Sequence, residues 1–101
     1  MTFVFTDIEG STKLFHELGD AYIGVLDEHH KILREAIAAH DGVEIKTEGD
    51  AFFIAYDEPA NAILSMRDAQ LALASHSFSH GRPVRVRMGI HVGPVAIVDD
   101  D

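Results

Sequence analysis

Two aspartates stand out by position. Asp7 directly follows an apolar, β-prone stretch over residues 2–6, and Asp50 closes the segment Thr47-Glu48-Gly49-Asp50 ahead of the apolar run 51–56. The spacing predicts Asp7 at the carboxyl end of a first strand and Asp50 in a hairpin between two later strands. If those strands are neighbours in one sheet, both carboxylates converge at one edge. Two hard oxygen ligands suit Mg²⁺ or Mn²⁺, and oxygen-rich, thiolate-free sites hold paired ions that activate an attacking oxygen and neutralise a phosphate under displacement. Plainer roles compete for the same residues: Asp7 as a helix cap and Asp50 as a turn residue.

Other candidates lie around this pair. Gly10-Ser11-Thr12 opens the next helix, where free backbone N–H groups favour phosphate as readily as the segment serves as an ordinary cap. Lys46 stands four residues before Asp50 on the polar parity of its strand, the usual place of a solvated lysine. Arg82, Arg85 and Arg87 form a short basic stripe in an acidic chain, which suggests a small anionic ligand. Arg85 and Arg87 share a strand face, suited to phosphate and, more commonly, to pairing with acids on the next strand. The histidines form no His-Glu-x-x-His pattern, and His29 and His30 are expected on divergent helix faces, in surface or packing roles. Phe3, Phe5, Phe52 and Phe53 read as core or interface rather than as base-stacking platforms, because the surrounding charge is acidic. There is no Gly-x-x-x-x-Gly-Lys-Ser/Thr, so a P-loop nucleotide hydrolase is excluded by motif.

The elements that must position these groups follow from periodicity. A strand over 2–6 runs into a loop and helix. From Asp20, the positions Tyr22, Val25, Leu26, His29, Leu33, Ala36, Ile37 and His40 recur at helical spacing and end at Asp41-Gly42. Val43 and Ile45 alternate with Glu44 and Lys46 as a strand, and residues 51–56 form the next. Pro59 starts a helix that carries Ala62, Ile63, Met66, Ala69, Gln70 and Leu73 to about Ser75. Val84, Val86, Met88, Ile90 and Val92 alternate with Arg85, Arg87, Gly89 and His91, and Val95–Val98 begins a further strand. The order β-α-α-β-β-α-β predicts an α+β, ferredoxin-like sheet with helices on one face and the other face left for a site or partner. The last strand stops after four residues with no return strand or closing helix, which reads as a domain truncated at its C-terminus.

Composition narrows the classes. A chain of 101 residues holds one domain at most, and 47% hydrophobic with 25% charged residues excludes a disordered or collagen-like chain. A net charge of −9, from 17 acids against 8 bases, argues against a nucleic-acid partner. No apolar run is long enough to span a membrane, and residues 1–6 lack the basic start of a signal peptide. The absence of cysteine excludes disulfides, zinc thiolates and cysteine nucleophiles, and makes the cytoplasm the default expectation.

Three ordered blocks carry a family resemblance. Phe3-Val4-Phe5-Thr6-Asp7-Ile8-Glu9-Gly10-Ser11-Thr12, then Val43-Glu44-Ile45-Lys46-Thr47-Glu48-Gly49-Asp50-Ala51-Phe52-Phe53, then Arg85-Val86-Arg87-Met88-Gly89-Ile90-His91-Val92-Gly93-Pro94 together resemble the class III adenylate/guanylate cyclase catalytic domain. The resemblance spans essentially the whole chain and about the first half of that domain, so residues 1–101 are expected to be a single partial cyclase domain. It implies a palm-like core and conversion of ATP to cyclic AMP and pyrophosphate with two Mg²⁺ or Mn²⁺ ions. Asp7 and Asp50 would be the metal-binding aspartates, with the Ile8 carbonyl as an added ligand. Gly10, Ser11 and Thr12 would match the loop whose amides hold the triphosphate, Lys46 the lysine that selects adenine, and Arg87 an arginine used toward the phosphates.

The resemblance also implies a dimer, as a homodimer or with another cyclase domain, in which each site draws residues from both protomers. The family's later block, with a transition-state asparagine and arginine, has no counterpart among these residues, so the chain alone is expected to be nearly inactive. One of Asp99, Asp100 or Asp101 is a candidate for the aspartate that pairs with Lys46 on adenine. Two alternatives stand beside this reading: a non-catalytic cyclase-like module that binds nucleotide or a partner, and an imperfect Asp-x-Asp-Gly-Thr phosphatase motif in Asp7-Ile8-Glu9-Gly10-Ser11. The phosphatase reading suffers from Glu9 in place of the second aspartate and from too short a following segment.

Overall fold

The structure is a computed structural model and describes residues 1–94. The elements are β1 (Thr2–Ile8), α1 (Ser11–Leu18), a single 3-10 turn (Gly19–Ala21), α2 (Tyr22–Ala39), β2 (Val43–Glu48), β3 (Ala51–Tyr56), α3 (Pro59–Ser75) and β4 (Val86–Val92). The expected strand Val95–Val98 and the acids Asp99, Asp100 and Asp101 lie outside the described residues.

The strands form one antiparallel sheet in the order β2-β3-β1-β4. β1 and β2 therefore run the same way with β3 between them, and α1 and α2 make the crossover that this requires. This is the ferredoxin-like arrangement expected from the element order. β1 is longer than its apolar stretch because Asp7 and Ile8 continue the ladder to β4, opposite Arg87 and Val86.

Alternation decides the faces. Val4, Ile8, Phe52, Ile54, Tyr56 and Val86 point to the helices and are buried, whereas Phe3, Phe5, Asp7, Phe53 and Arg87 point the other way. From α2, Val25, His29, Leu33, Ala36 and Ile37 complete this core, and α3 adds Ala62, Ser65, Met66, Ala69 and Leu73. Each large apolar side chain buried there contributes roughly 1.5–3 kcal/mol. A buried hydrogen-bond chain ties the layers: the Tyr56 hydroxyl donates to Ser65 Oγ at 2.6 Å, which donates to the Ala36 carbonyl at 2.9 Å. Gly42 sits so close beneath this chain that a Cβ would stand 2.7 Å from Tyr56 Cε2 and 2.8 Å from Ile37 Cγ2.

β2 forms as expected, with a register shift between Glu44 and Lys46 that leaves Ile45 as a bulge, and both Val43 and Ile45 are more than half exposed. Two local expectations are corrected. β4 starts at Val86 rather than Val84, and its apolar parity is covered only at the start, with Ile90 and Val92 exposed. His29 and His30 do not diverge; their rings meet, with Nδ1 atoms 2.8 Å apart.

Candidate active site

The ends of β1 and of the β2–β3 hairpin meet. Thr6 pairs with Phe52, and continuing that antiparallel register brings Ile8 opposite Asp50. The contact is direct: the Ile8 N–H donates to Asp50 Oδ2 at 2.7 Å. Asp50 follows Gly49 in a two-residue turn, and Gly49 takes φ +58, a conformation that side chains other than glycine resist. The Asp50 turn is thus held against the end of β1, the strand that carries Asp7.

Asp7 points to the open face and is not a helix cap. Arg87, directly across the ladder, grips it with Nε to Oδ1 at 2.8 Å and Nη2 to Oδ2 at 3.0 Å. Those bonds hold the guanidinium above its already high ordinary pKa, and the charges of Glu9 and Asp50 add to the effect. Arg87 therefore pairs across strands with Asp7, the commoner of its two expected roles.

Past Ile8 the chain turns into α1. Glu9 N–H donates to the Arg85 carbonyl at 2.8 Å, and Gly10, at φ +67, caps the helix with no side-chain cap bond. Ser11 and Thr12 are its first helical residues, so the cap is Gly10 and the hydroxyls of Ser11 and Thr12 do not cap. Clefts open on either side of this strand end. One of about 410 Å³ is lined by Phe5, Asp7, Ala51, Arg87 and Gly89, and one of about 380 Å³ by Glu9, Gly10, Lys13, Arg82 and Arg85.

Lys46 lies apart from the aspartates. It faces the open side opposite Phe53, its Nζ 3.4 Å from Glu48 Oε2, and shares a smaller hollow with Phe5 and Phe53. Phe5 stacks on Phe53 with centroids 4.6 Å apart and remains 54% exposed, so the open face carries an aromatic patch between Lys46 and Asp7.

The chemistry of the donor set suits a hard cation. Asp7, Asp50 and the Ile8 backbone bring oxygen ligands only, and no group of three or more histidine, cysteine, aspartate or glutamate side chains gathers among the described residues. Two carboxylates with a backbone carbonyl leave several positions to water and phosphate oxygens, which is how Mg²⁺ is usually held.

Sequence reasoning missed the α2 side chains beneath the turn. Burial pushes the Tyr22 hydroxyl pKa up and the Asp50 charge adds to it. His29 is fully buried and its pKa is lowered to about 4, first by burial and then by His30, with Asp50 opposing. The signal was present in the helical stripe that puts Tyr22 and His29 seven residues apart on one face.

Comparison with known proteins identifies the family. The family model for the adenylate and guanylate cyclase catalytic domain matches residues 1–99. An adenylate cyclase of Lachancea kluyveri is 34% identical over 95% of this chain and 6% of its own length. A receptor-type adenylate cyclase of Trypanosoma congolense is 37% identical over 77% of this chain and 10% of its own. A solved adenylate cyclase structure from Trypanosoma brucei superposes with a TM-score of 0.83 at 27% identity, covering 89% of this chain and 54% of that one. The chain thus spans a small part of its curated relatives and about half of that solved domain. On the strength of the family match across nearly all its residues, the chain belongs to the adenylate and guanylate cyclase catalytic domain family.

Proposed function

We propose that this chain provides the metal-binding half of an adenylate cyclase site, which converts ATP to 3′,5′-cyclic AMP and pyrophosphate. The observation that carries the reading is the Ile8–Asp50 hydrogen bond, which clips the hairpin to the strand end and sets Asp50 beside Asp7. Asp7, Asp50 and the Ile8 carbonyl would hold two Mg²⁺ or Mn²⁺ ions, which when bound supply activation of the ribose 3′-hydroxyl and charge neutralisation on the triphosphate. Gly10, Ser11 and Thr12 present backbone N–H groups to the phosphates. Arg87 exchanges Asp7 for a phosphate oxygen, a bidentate partner of the same shape. Lys46 reads the base: an ammonium only donates, so it serves the adenine N1 acceptor and mismatches the protonated N1 of guanine.

The exposed aromatic patch around Phe5 and Phe53 fits a second cyclase domain, so that Lys46 of one protomer and the aspartates of the other complete a site. No helix among the described residues is long and apolar enough to cross a membrane. A cysteine-free chain acting on ATP fits the cytoplasm.

The test is calorimetric titration of Mn²⁺ with a non-hydrolysable ATP analogue into the parent, Asp7→Ala and Asp50→Ala. Both variants should keep the fold and lose the metal-dependent heat; unchanged affinity in both removes the assignment. A cyclic AMP assay accompanies it. Each missing transition-state donor costs about 10²–10³-fold, so these 101 residues alone should turn ATP over far more slowly than a domain that includes the asparagine and arginine block. Nucleotide binding with no turnover even when that block is supplied would favour the non-catalytic module.

A further inference from the structure

Beneath the β2–β3 turn lies a pair of imidazoles that the reading above leaves without a role. His29 is fully buried on α2, and its Nδ1 lies 2.8 Å from Nδ1 of the half-buried His30. Both rings meet Phe52 edge-on, with centroids at 5.8 Å and 4.9 Å. Phe52 is the buried residue two positions after Asp50 and the ladder partner of Thr6 and Thr47. Arg34, one turn further along α2, lies over the same ring and forks onto Glu44 of β2.

The hydrogen-bond inventory fixes the protons. Only one proton fits between two Nδ1 atoms, so one ring donates and the other accepts. His29 Nε2 is buried with no hydrogen-bond partner among the described residues. An unpartnered N–H is costlier than a bare ring nitrogen, so His29 carries its proton on Nδ1 and donates. His30 then accepts at Nδ1 and carries its own proton on Nε2, and the Gly49 backbone favours the protonated form of its ring. The pair thus runs from the buried face of α2 to the turn residue that precedes Asp50.

We propose that the His29–His30 pair positions Asp50: the buried hydrogen bond between the rings locks α2 against Phe52 and the Gly49–Asp50 turn, and so sets where the Asp50 carboxylate stands. The inference rests on the reading of Asp50 as a ligand of a divalent cation. The two histidines touch neither cation nor nucleotide; they act through the turn.

The experiment compares His29→Leu, which keeps bulk and deletes the bond, with His29→Asn, which restores a polar group where Nδ1 stood. Mn²⁺ affinity is measured at neutral pH with the ATP analogue present, alongside the Ile8 amide proton shift, which reports the bond to Asp50. His29→Leu should weaken Mn²⁺ binding about tenfold and shift the Ile8 amide, the loss of roughly one neutral hydrogen bond's worth of positioning. His29→Asn should recover most of both. A folded His29→Leu with parental Mn²⁺ affinity and an unmoved Ile8 amide overturns the proposal. Asp50→Ala separates this from the underlying assignment: if it too binds Mn²⁺ like the parent, the assignment and the proposal fall together. Should His29→Leu not fold, His30→Leu, which removes the acceptor from a half-buried position, decides by the same two readouts.

Discussion

The buried histidine makes acid stability a direct test of the packing under the turn. His29 has a folded pKa of about 4 against an ordinary 6.5, because burial disfavours the imidazolium and His30 repels it. As pH falls below 6.5 the unfolded chain takes up a proton that the folded chain refuses until about pH 4, so stability from neutral His29 is present above that window and lost across it. Working the two titrations through from about pH 7 to about pH 5 gives a loss of roughly 2 kcal/mol, a large share of a small domain's margin. His30, lowered mainly by burial and next by Arg34, adds in the same direction, while the Gly49 backbone, Glu44 and Asp27 oppose. The lowered carboxylates act elsewhere: Glu28, held down by Ser79 and His76, and Glu44, held down by Arg34 and Thr47, withdraw their contributions only below 4.5, and Asp68, held down by His40 and Arg67, only below 3.8. Urea unfolding at the two pH values, read at constant slope, measures the difference. His29→Leu should remove most of it. If parent and variant lose the same stability between those values, His29 is not buried as described and the argument fails.

Further outcomes follow from single contacts. Gly42→Ala should destabilise the fold by about 1–3 kcal/mol, since its Cβ would overlap Tyr56 and Ile37; an unchanged urea midpoint would contradict that approach. Arg87→Gln should tighten Mn²⁺ binding roughly two- to fivefold without nucleotide, by freeing both Asp7 oxygens, yet weaken binding of the ATP analogue; movement of both in one direction would separate Arg87 from one of its two roles. Lys46→Glu should reduce the preference for an ATP over a GTP analogue by about tenfold, and an unmoved ratio would leave Lys46 as a solvated lysine beside Glu48.

The readable parts of this molecule were those set by local pattern. Pro59 and the apolar stripe behind it mark α3 to the residue, and the uninterrupted run 51–56 marks β3, because each is specified within its own window. That the Asp50 turn reaches the end of β1 was legible because strand order alone brings these segments together. What escaped depends on how distant segments are aligned. That Arg87 faces Asp7 is a matter of register between strands about eighty residues apart, which alternation cannot fix. The bulge at Ile45 depends on how β2 pairs with β3, which the alternation of β2 alone does not carry. Adjacent helix positions diverge by about 100°, so His29 and His30 looked separate; only the shared platform of Phe52 swings their rings together.

The sheet order places the two aspartates on backbone of unequal tenacity. Asp7 belongs to β1, an inner strand paired with β3 as far as Thr6 and with β4 through Ile8, whereas Asp50 sits on a two-residue turn whose outer arm, β2, pairs with β3 alone among the described residues. Opening β1 means dismantling the sheet, but the hairpin tip can open alone at a small fraction of the global unfolding energy. For any cation held between them, the dwell time is then governed from the Asp50 side: the turn lets go first and the strand keeps its half of the site ready for recapture.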